Sequence, residues 1–272
     1  MSEQAIAIYC FIDDFLKTAG HKTDAHCRVS NAEIMTTALI AARYFYGNHT
    51  TARVYMKEKH GVTLIDKSGF NRRLHSLEKQ LVSIFYALAQ VLKELNTTCQ
   101  YLIDSFPVAV CDNIRIPACR LLQGEAYRGK SASKRRYFYG FRVQVITTAH
   151  GLPVDYFICA GSFVDVTAFQ AMHIDLPEGS TLYADSGYTD YELEDLYQAC
   201  EQIQLKVCRK SNSKRKDKPY ETFLKNHYRK KIENVFSGIT AYFPKKIHAV
   251  TAKGFLLKVI LFLFAYTFNQ LL

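Results

Sequence analysis

Apolar positions change their spacing about a third of the way along the chain. Up to residue 98 they recur every three or four residues, the period of helices with one buried face. Ile6, Tyr9, Cys10 and Ile12 open a first helix. Ser30-Asn31-Ala32-Glu33 has the form of a capping box ahead of the apolar run 34–40. Gly47-Asn48 and Gly61 punctuate further helical pieces. Leu74, Leu77, Leu81, Ile84, Phe85, Leu88, Val91 and Leu92 predict one long helix starting near Asn71.

From Cys99 onward the period shortens. Tyr101-Leu102-Ile103 reads as a strand. Over 137–147, Tyr137, Tyr139, Phe141, Val143 and Val145 share one face, and Phe138, Gly140, Arg142, Gln144 and Ile146 the other. His150-Gly151-Leu152-Pro153 predicts a hairpin turn into a strand over 152–159. A helix over 166–173, a strand over 181–184, a helix over 190–202, a strand over 203–208 and two helices over 219–242 and 249–272 follow. The order β-β-β-α-β-α-β-α-α resembles that of the ribonuclease-H-like fold. The expectation is an α/β protein. Its ribonuclease-H-like catalytic domain, a mixed five-stranded sheet with flanking helices, spans 99–272. A mostly helical N-terminal domain over 1–98, a candidate for DNA binding, precedes it.

Composition narrows this further. Hydrophobic residues make up 49% of the 272, so the chain is globular and not disordered. A formal net charge of +10 suits a polyanionic partner. The 8 cysteines are irregularly spaced with no Cys-x-x-Cys pair, which predicts reduced, buried thiols in a cytosolic setting. His21, His26 and Cys27 lack the second ligand pair of a zinc site. No signal peptide is expected, since no basic segment opens the chain. The apolar run 255–268 contains Lys258 and falls short of the ~20 residues of a membrane span, so a buried terminal helix is expected.

Three carboxylates carry the chemistry. Asp104 ends the run Tyr101-Leu102-Ile103. Asp185 ends Leu182-Tyr183-Ala184. Glu233 lies in the basic helical segment 228–236. In a ribonuclease-H-like sheet the first and fourth strands are neighbours, so acids at their ends can meet. Three carboxylates can hold two divalent cations if one bridges them, and Asp104 on the central strand is the bridging candidate. Taken alone, Glu233 reads first as an i,i+4 partner of Arg229 on a solvated helix; the basic cluster before it and the two strand-end aspartates reverse that reading. Asp112, Asp155 and Asp165 compete for these roles: Asp112 follows a strand, Asp155 lies inside one, and Asp165 stands at a helix start, where a cap or first-turn acid is structural.

The segments Ile103-Asp104-Ser105, Ala184-Asp185-Ser186-Gly187-Tyr188 and Tyr228-Arg229-Lys230-Lys231-Ile232-Glu233 resemble those of bacterial insertion-sequence transposases of the DDE type. The group with insertion sequences 4 and 5 is similar, and the insertion-sequence 982 family most so. The intervals agree, with 80 residues between the aspartates and 47 from Asp185 to Glu233. One departure stands out: where the insertion-sequence 4 group has a lysine seven residues after the glutamate, this chain has Thr240, and Lys245 and Lys246 come later. The resemblance implies Asp104, Asp185 and Glu233 as catalytic residues and ligands of two Mg²⁺ ions, with Mn²⁺ as a substitute. It implies cleavage of element ends and transfer of the 3′ hydroxyls to target DNA. It also implies double-stranded DNA as partner, a homodimer on that DNA, no membrane, and a cytoplasmic, nucleoid-associated protein. An endonuclease of the same fold without strand transfer, and an inactive DNA-binding derivative, are the alternatives.

Between Lys206 and Lys231 there are eleven Lys or Arg against two acids. This predicts a flexible basic loop that meets phosphates through Arg209, Lys210, Lys214, Arg215, Lys216 and Lys218, with Arg229 and Lys230 on the helix beyond. A solvated loop that aids solubility is the alternative. Lys134, Arg135 and Arg136 form a second basic head. Asn71, Arg72 and Arg73 are candidate base-reading residues at the start of a recognition helix. A plain packing bundle is the other reading of that region, with twelve basic and nine acidic residues up to position 98.

Overall fold

The computed structural model describes residues 1–131 and 136–272. Two compact units emerge. One comprises Met1–Ala87 with Ala241–Leu272, the other Leu88–Thr240. The division differs from the expected one in two ways: the first cut falls after Ala87 and not at 98, and the last helix is grouped with the N-terminal helices and not with the sheet.

The first unit contains α1 (Ser2–Thr18), α2 (Asn31–Tyr44), α3 (His49–His60), α4 (Lys67–Ser76), most of α5 (Glu78–Glu94) and α9 (Ala252–Leu271). At its centre is α2, against α1, α3, α4 and α9. The capping box forms as expected: Glu33 N donates to Ser30 Oγ at 3.1 Å, and Ser30 N donates to Glu33 Oε2 at 2.6 Å. The single long helix expected from Asn71 is two. Leu77 interrupts it, and the Ser76 hydroxyl takes the Arg73 carbonyl at 2.7 Å, a local bond that competes with continuation of the helix. By length and mean hydropathy (1.5), α9 is apolar enough to cross a membrane, but 72% of that window is buried within the protein. It carries no polar face because neighbours cover it nearly all round. Of the eight cysteines only Cys159 is buried; Cys10, Cys27 and Cys200 are exposed, contrary to the expectation of buried thiols.

The second unit is built on a mixed six-stranded sheet. Its strands are β1 (Gln100–Cys111), β2 (Arg128–Ser131), β3 (Arg136–Thr148), β4 (Pro153–Ala160), β5 (Thr181–Ala184) and β6 (Gln204–Val207). The order is β2-β3-β1-β5-β6, with β4 also on β3. β1 runs antiparallel to β3 and parallel to β5, and β5 is parallel to β6. Helices α6 (Asp165–Ala171), α7 (Tyr191–Cys200) and α8 (Pro219–Ala241) complete it. Five strands were expected. The sixth, β2, has the polar sequence Arg-Gly-Lys-Ser, which carries no hydrophobic alternation. Its Gly129 is required by close approach: a Cβ there would come within 2.1 Å of the Gly161 carbonyl oxygen and 2.4 Å of the Phe138 ring.

β1 is much longer than expected. Its pairing with β5 stops at Ile103 opposite Ala184, but pairing with β3 continues to Cys111. Pro107 is thus tolerated, since past Ile103 only β3 pairs with β1 among the described residues. Asp104 therefore lies inside β1, at the first residue beyond its parallel pairing, and not at the end of the strand.

Candidate active site

Asp104 and Asp185 are the residues immediately after the last β1–β5 pair, Ile103 and Ala184. Parallel neighbours in register carry both aspartates out at the same level of the sheet. Asp185 leads a short 3-10 turn, Ser186–Tyr188, and stays partly exposed. Helix α8 brings the third acid. The ring of Tyr228 stacks on Tyr183 of β5 with centroids 3.9 Å apart, and its hydroxyl donates to Gln100 Oε1 of β1. Two turns on, Phe236 meets Phe106 of β1 edge-on at 6.0 Å. Ile232, Phe236 and Ile239 form the buried stripe. Glu233 is thus held beside the two strands while remaining exposed.

Arg229 ties the group together. Its Nε is 3.8 Å from Asp185 Oδ1 and 3.6 Å from Glu233 Oε1. The two carboxylates therefore cannot be further apart than the sum of those distances. Asp104 is the deepest of the three. Burial pushes its carboxyl up to about 7, and the charges of Asp165, Asp185 and Glu233 push the same way against the Ser105 N–H, which donates to Asp104 Oδ1 at 2.7 Å.

The chemistry of this donor set, carboxylate oxygens only, fits a hard divalent cation. Among the described residues no group of three or more His, Cys, Asp or Glu is already drawn together tightly enough to hold a metal ion. The three acids share one electrostatic neighbourhood without standing at ligand distance.

Asp165 lies closer to this neighbourhood than the sequence indicated. It does open α6. Its Oδ1, however, accepts from Ser105 Oγ at 2.5 Å, Arg142 Nη1 at 3.1 Å and, more weakly, Gln144 Nε2 at 3.5 Å. Arg142 and Gln144 are polar residues on a strand whose neighbours are buried. That was the available signal, since polar groups in such positions need partners. Asp112 pairs with Arg136 at 2.9 Å, and Asp155 is buried within β4.

The basic loop between β6 and α8 is docked, not free. Arg209 reaches Glu194 of α7 with both guanidinium nitrogens, one at 2.8 Å, and both side chains are buried. Arg215 grips Asp195 at 2.7 Å through each terminal nitrogen. Both guanidinium groups lie over the ring of Tyr191, whose hydroxyl meets Ser213 Oγ at 2.6 Å and accepts from Lys214 N at 3.1 Å. Buried Lys225 of α8 holds Asp217 at 2.6 Å and the Val207 carbonyl at 2.9 Å. The expected flexibility is overturned, and Arg209 is committed to Glu194. Lys210, Lys214, Lys216, Lys218 and Lys230 remain exposed.

Arg136 is exposed beside Asp112; Lys134 and Arg135 lie outside the described residues. Of the candidate base readers, Asn71 pairs with His49 at 3.2 Å. Arg73 is turned inward onto the Val29 carbonyl (2.5 Å) and Asn31 Oδ1 (2.6 Å). Arg72 alone of the three is exposed.

The family described as "Transposase DDE domain" matches residues 94–243, more than half of the chain and a range within which Asp104, Asp185 and Glu233 fall. The chain belongs to the DDE transposases. No match is found among curated proteins or among solved structures. Membership makes DNA the partner, and DDE transposases typically work with a divalent metal.

Proposed function

We propose that this DDE transposase cleaves the ends of an insertion sequence and joins the freed 3′ hydroxyls to target DNA, with Asp104, Asp185 and Glu233 as its catalytic acids. The observation that carries the reading is the Arg229 bridge between Asp185 and Glu233, in the same electrostatic neighbourhood as the half-buried Asp104. We infer a ribonuclease-H-like fold for the sheet unit, and the insertion-sequence 982 family for the element, on the motifs around the three acids.

The three acids are the residues that would hold Mg²⁺, two ions when DNA is present, with Mn²⁺ able to replace it. Such ions activate the attacking oxygen and stabilise charge at the phosphodiester. Asp104 is fixed by the Ser105 N–H on one oxygen, which leaves the other for a cation. Asp185 and Glu233 must release Arg229 to do the same, and Arg229 is half exposed, with room to turn to a phosphate. The exposed lysines of the docked loop, with Lys230, track the backbone of a duplex. Two copies of the chain, one for each element end, fit the need to cut and join both ends.

The test is direct. Asp104→Asn, Asp185→Asn and Glu233→Gln should each abolish cleavage of an end-containing duplex in Mg²⁺ while leaving affinity for that duplex intact. A variant that still cleaves at the wild-type rate removes its residue from the site. Cleavage by the unaltered protein without any joined product would leave the endonuclease reading standing in place of strand transfer.

A further inference from the structure

We propose that Asp165 is a positioning residue that sets the separation of Asp104 and Asp185. The proposal rests on the reading of those two aspartates as cation ligands. Asp165 comes from a third element, α6, yet it touches the carriers of both. Ser105, next in sequence to Asp104, is fixed at two points. Its N–H donates to Asp104 Oδ1 at 2.7 Å and its hydroxyl donates to Asp165 Oδ1 at 2.5 Å. On the other side Gly187, two residues after Asp185, lies so close that a Cβ there would come 3.1 Å from Asp165 Oδ2. One carboxylate thus meets the Ser105 side chain with Oδ1 and faces the Gly187 backbone with Oδ2.

A second route reinforces the first. Tyr188, in the turn that follows Asp185, is buried and donates its hydroxyl to Gln144 Oε1, and the amide of Gln144 leans on Asp165 Oδ1 at 3.5 Å. Phe169 of α6 packs edge-on against the Tyr188 ring at 5.6 Å. Arg142 holds the strut in place. Its Nη1 donates to both Asp165 Oδ1 and Ser105 Oγ at 3.1 Å, and its Nη2 to the Lys130 carbonyl at 3.1 Å.

The carboxylate thus links the residue after Asp104 to the turn after Asp185 through an element that carries neither acid. A fixed spacing between two cation ligands matters because small displacements of reacting groups are expensive in rate.

The experiment compares Asp165→Ala, Asp165→Asn and Ser105→Ala with the wild type and with Asp104→Asn. It measures Mn²⁺ binding by calorimetry without DNA, cleavage against Mg²⁺ concentration, duplex affinity, and thermal midpoint. Asn keeps an oxygen for Ser105 and Arg142, so Asp165→Asn should stay within about tenfold of wild type, and Asp165→Ala should cleave about 100-fold more slowly. Asp165→Ala should also need more Mg²⁺ for half-maximal rate and bind Mn²⁺ more weakly, with duplex affinity unchanged. Ser105→Ala, which cuts only one link, should shift both in the same direction by less, and it decides the matter if Asp165→Ala does not fold. Asp165→Asn as inactive as Asp165→Ala would make Asp165 a ligand and overturn the proposal. So would folded Ala variants with unchanged metal dependence. Full cleavage and Mn²⁺ binding by Asp104→Asn would instead remove the underlying assignment of the acids.

Discussion

The docked basic loop makes a sharp prediction, because it separates cations that are spoken for from cations that are free. Lys210, Lys214, Lys216 and Lys218 are exposed. Changing all four to Gln removes up to four phosphate contacts. Each contact accounts for about 0.9 in the slope of log K against log salt, so the slope should flatten by up to about 3.6. Between about 50 and 200 mM salt, that change corresponds to roughly two orders of magnitude in salt sensitivity. The loss should be similar on end-containing and random duplexes, since the contacts of the loop with α7 engage its arginines while its lysines stay exposed to solvent and sense charge.

Arg209→Gln should behave in the opposite way. Its buried partner Glu194 would keep only Arg215 Nη1 at 4.0 Å, at a cost of up to ~3–5 kcal/mol in stability, with no change in salt slope. Arg215→Gln removes a pair that is half exposed and should cost only ~0.2–1 kcal/mol. Fluorescence anisotropy across a salt series, together with urea unfolding of each variant, gives both quantities. An unchanged slope in the quadruple variant would return the loop to a solubility role. A slope that flattens in Arg209→Gln would refute the division between committed and free cations. A loss confined to the end sequence would make the loop a specificity element.

Two further outcomes concern the helical unit. Phe264 is fully buried in α9, edge-on to Phe85 at 5.7 Å and stacked on Phe268 at 4.9 Å, so Phe264→Ala should destabilise the protein by ~3–5 kcal/mol in urea titrations. His49 is held at about 4 by burial, with Lys258 next in effect, so the native state keeps it neutral while the unfolded chain protonates it near 6.5. The unfolded state therefore binds more protons between those values, and stability should fall as pH drops through this window, by about 3 kcal/mol in all. His49→Gln should flatten that part of a stability–pH curve, and an unaltered curve would remove His49 as its source.

Much of the fold follows from local pattern. The capping box at Ser30 and Glu33, the alternation through β3 and the hairpin at Gly151 each report a backbone preference that the tertiary structure does not contest. The failures come where a neighbour supplies what the local sequence lacks. Pro107 argues against a strand on its own. Past Ile103, among the described residues, only β3 pairs with β1, so the proline is tolerated and β1 runs on to Cys111. β2 has no hydrophobic pattern because it is placed by pairing with β3 and by the space Gly129 leaves for Gly161 and Phe138. The break at Leu77 leaves the 3-4 spacing intact across it, so periodicity reads one helix where there are two.

The site divides along the same line. Asp185 is legible from a short apolar run because β5 is short: four residues, then the acid. Glu233 is legible from the stripe of Ile232, Phe236 and Ile239 that fixes which side of α8 faces the sheet. Asp165 was read as a helix-start acid, which is correct for its backbone and says nothing of where its carboxylate goes. Direction is set by what lies opposite, and here Ser105, Arg142 and Gln144, from two other strands, converge on one oxygen. The arginines of the loop repeat the point in reverse. Sequence counts them with the lysines as positive charge, but a guanidinium offers a planar pair of donors that a carboxylate can engage on both sides, and Glu194 and Asp195 on α7 present such carboxylates. The arginines are thereby drawn into the architecture, while Lys210, Lys214, Lys216 and Lys218 stay exposed.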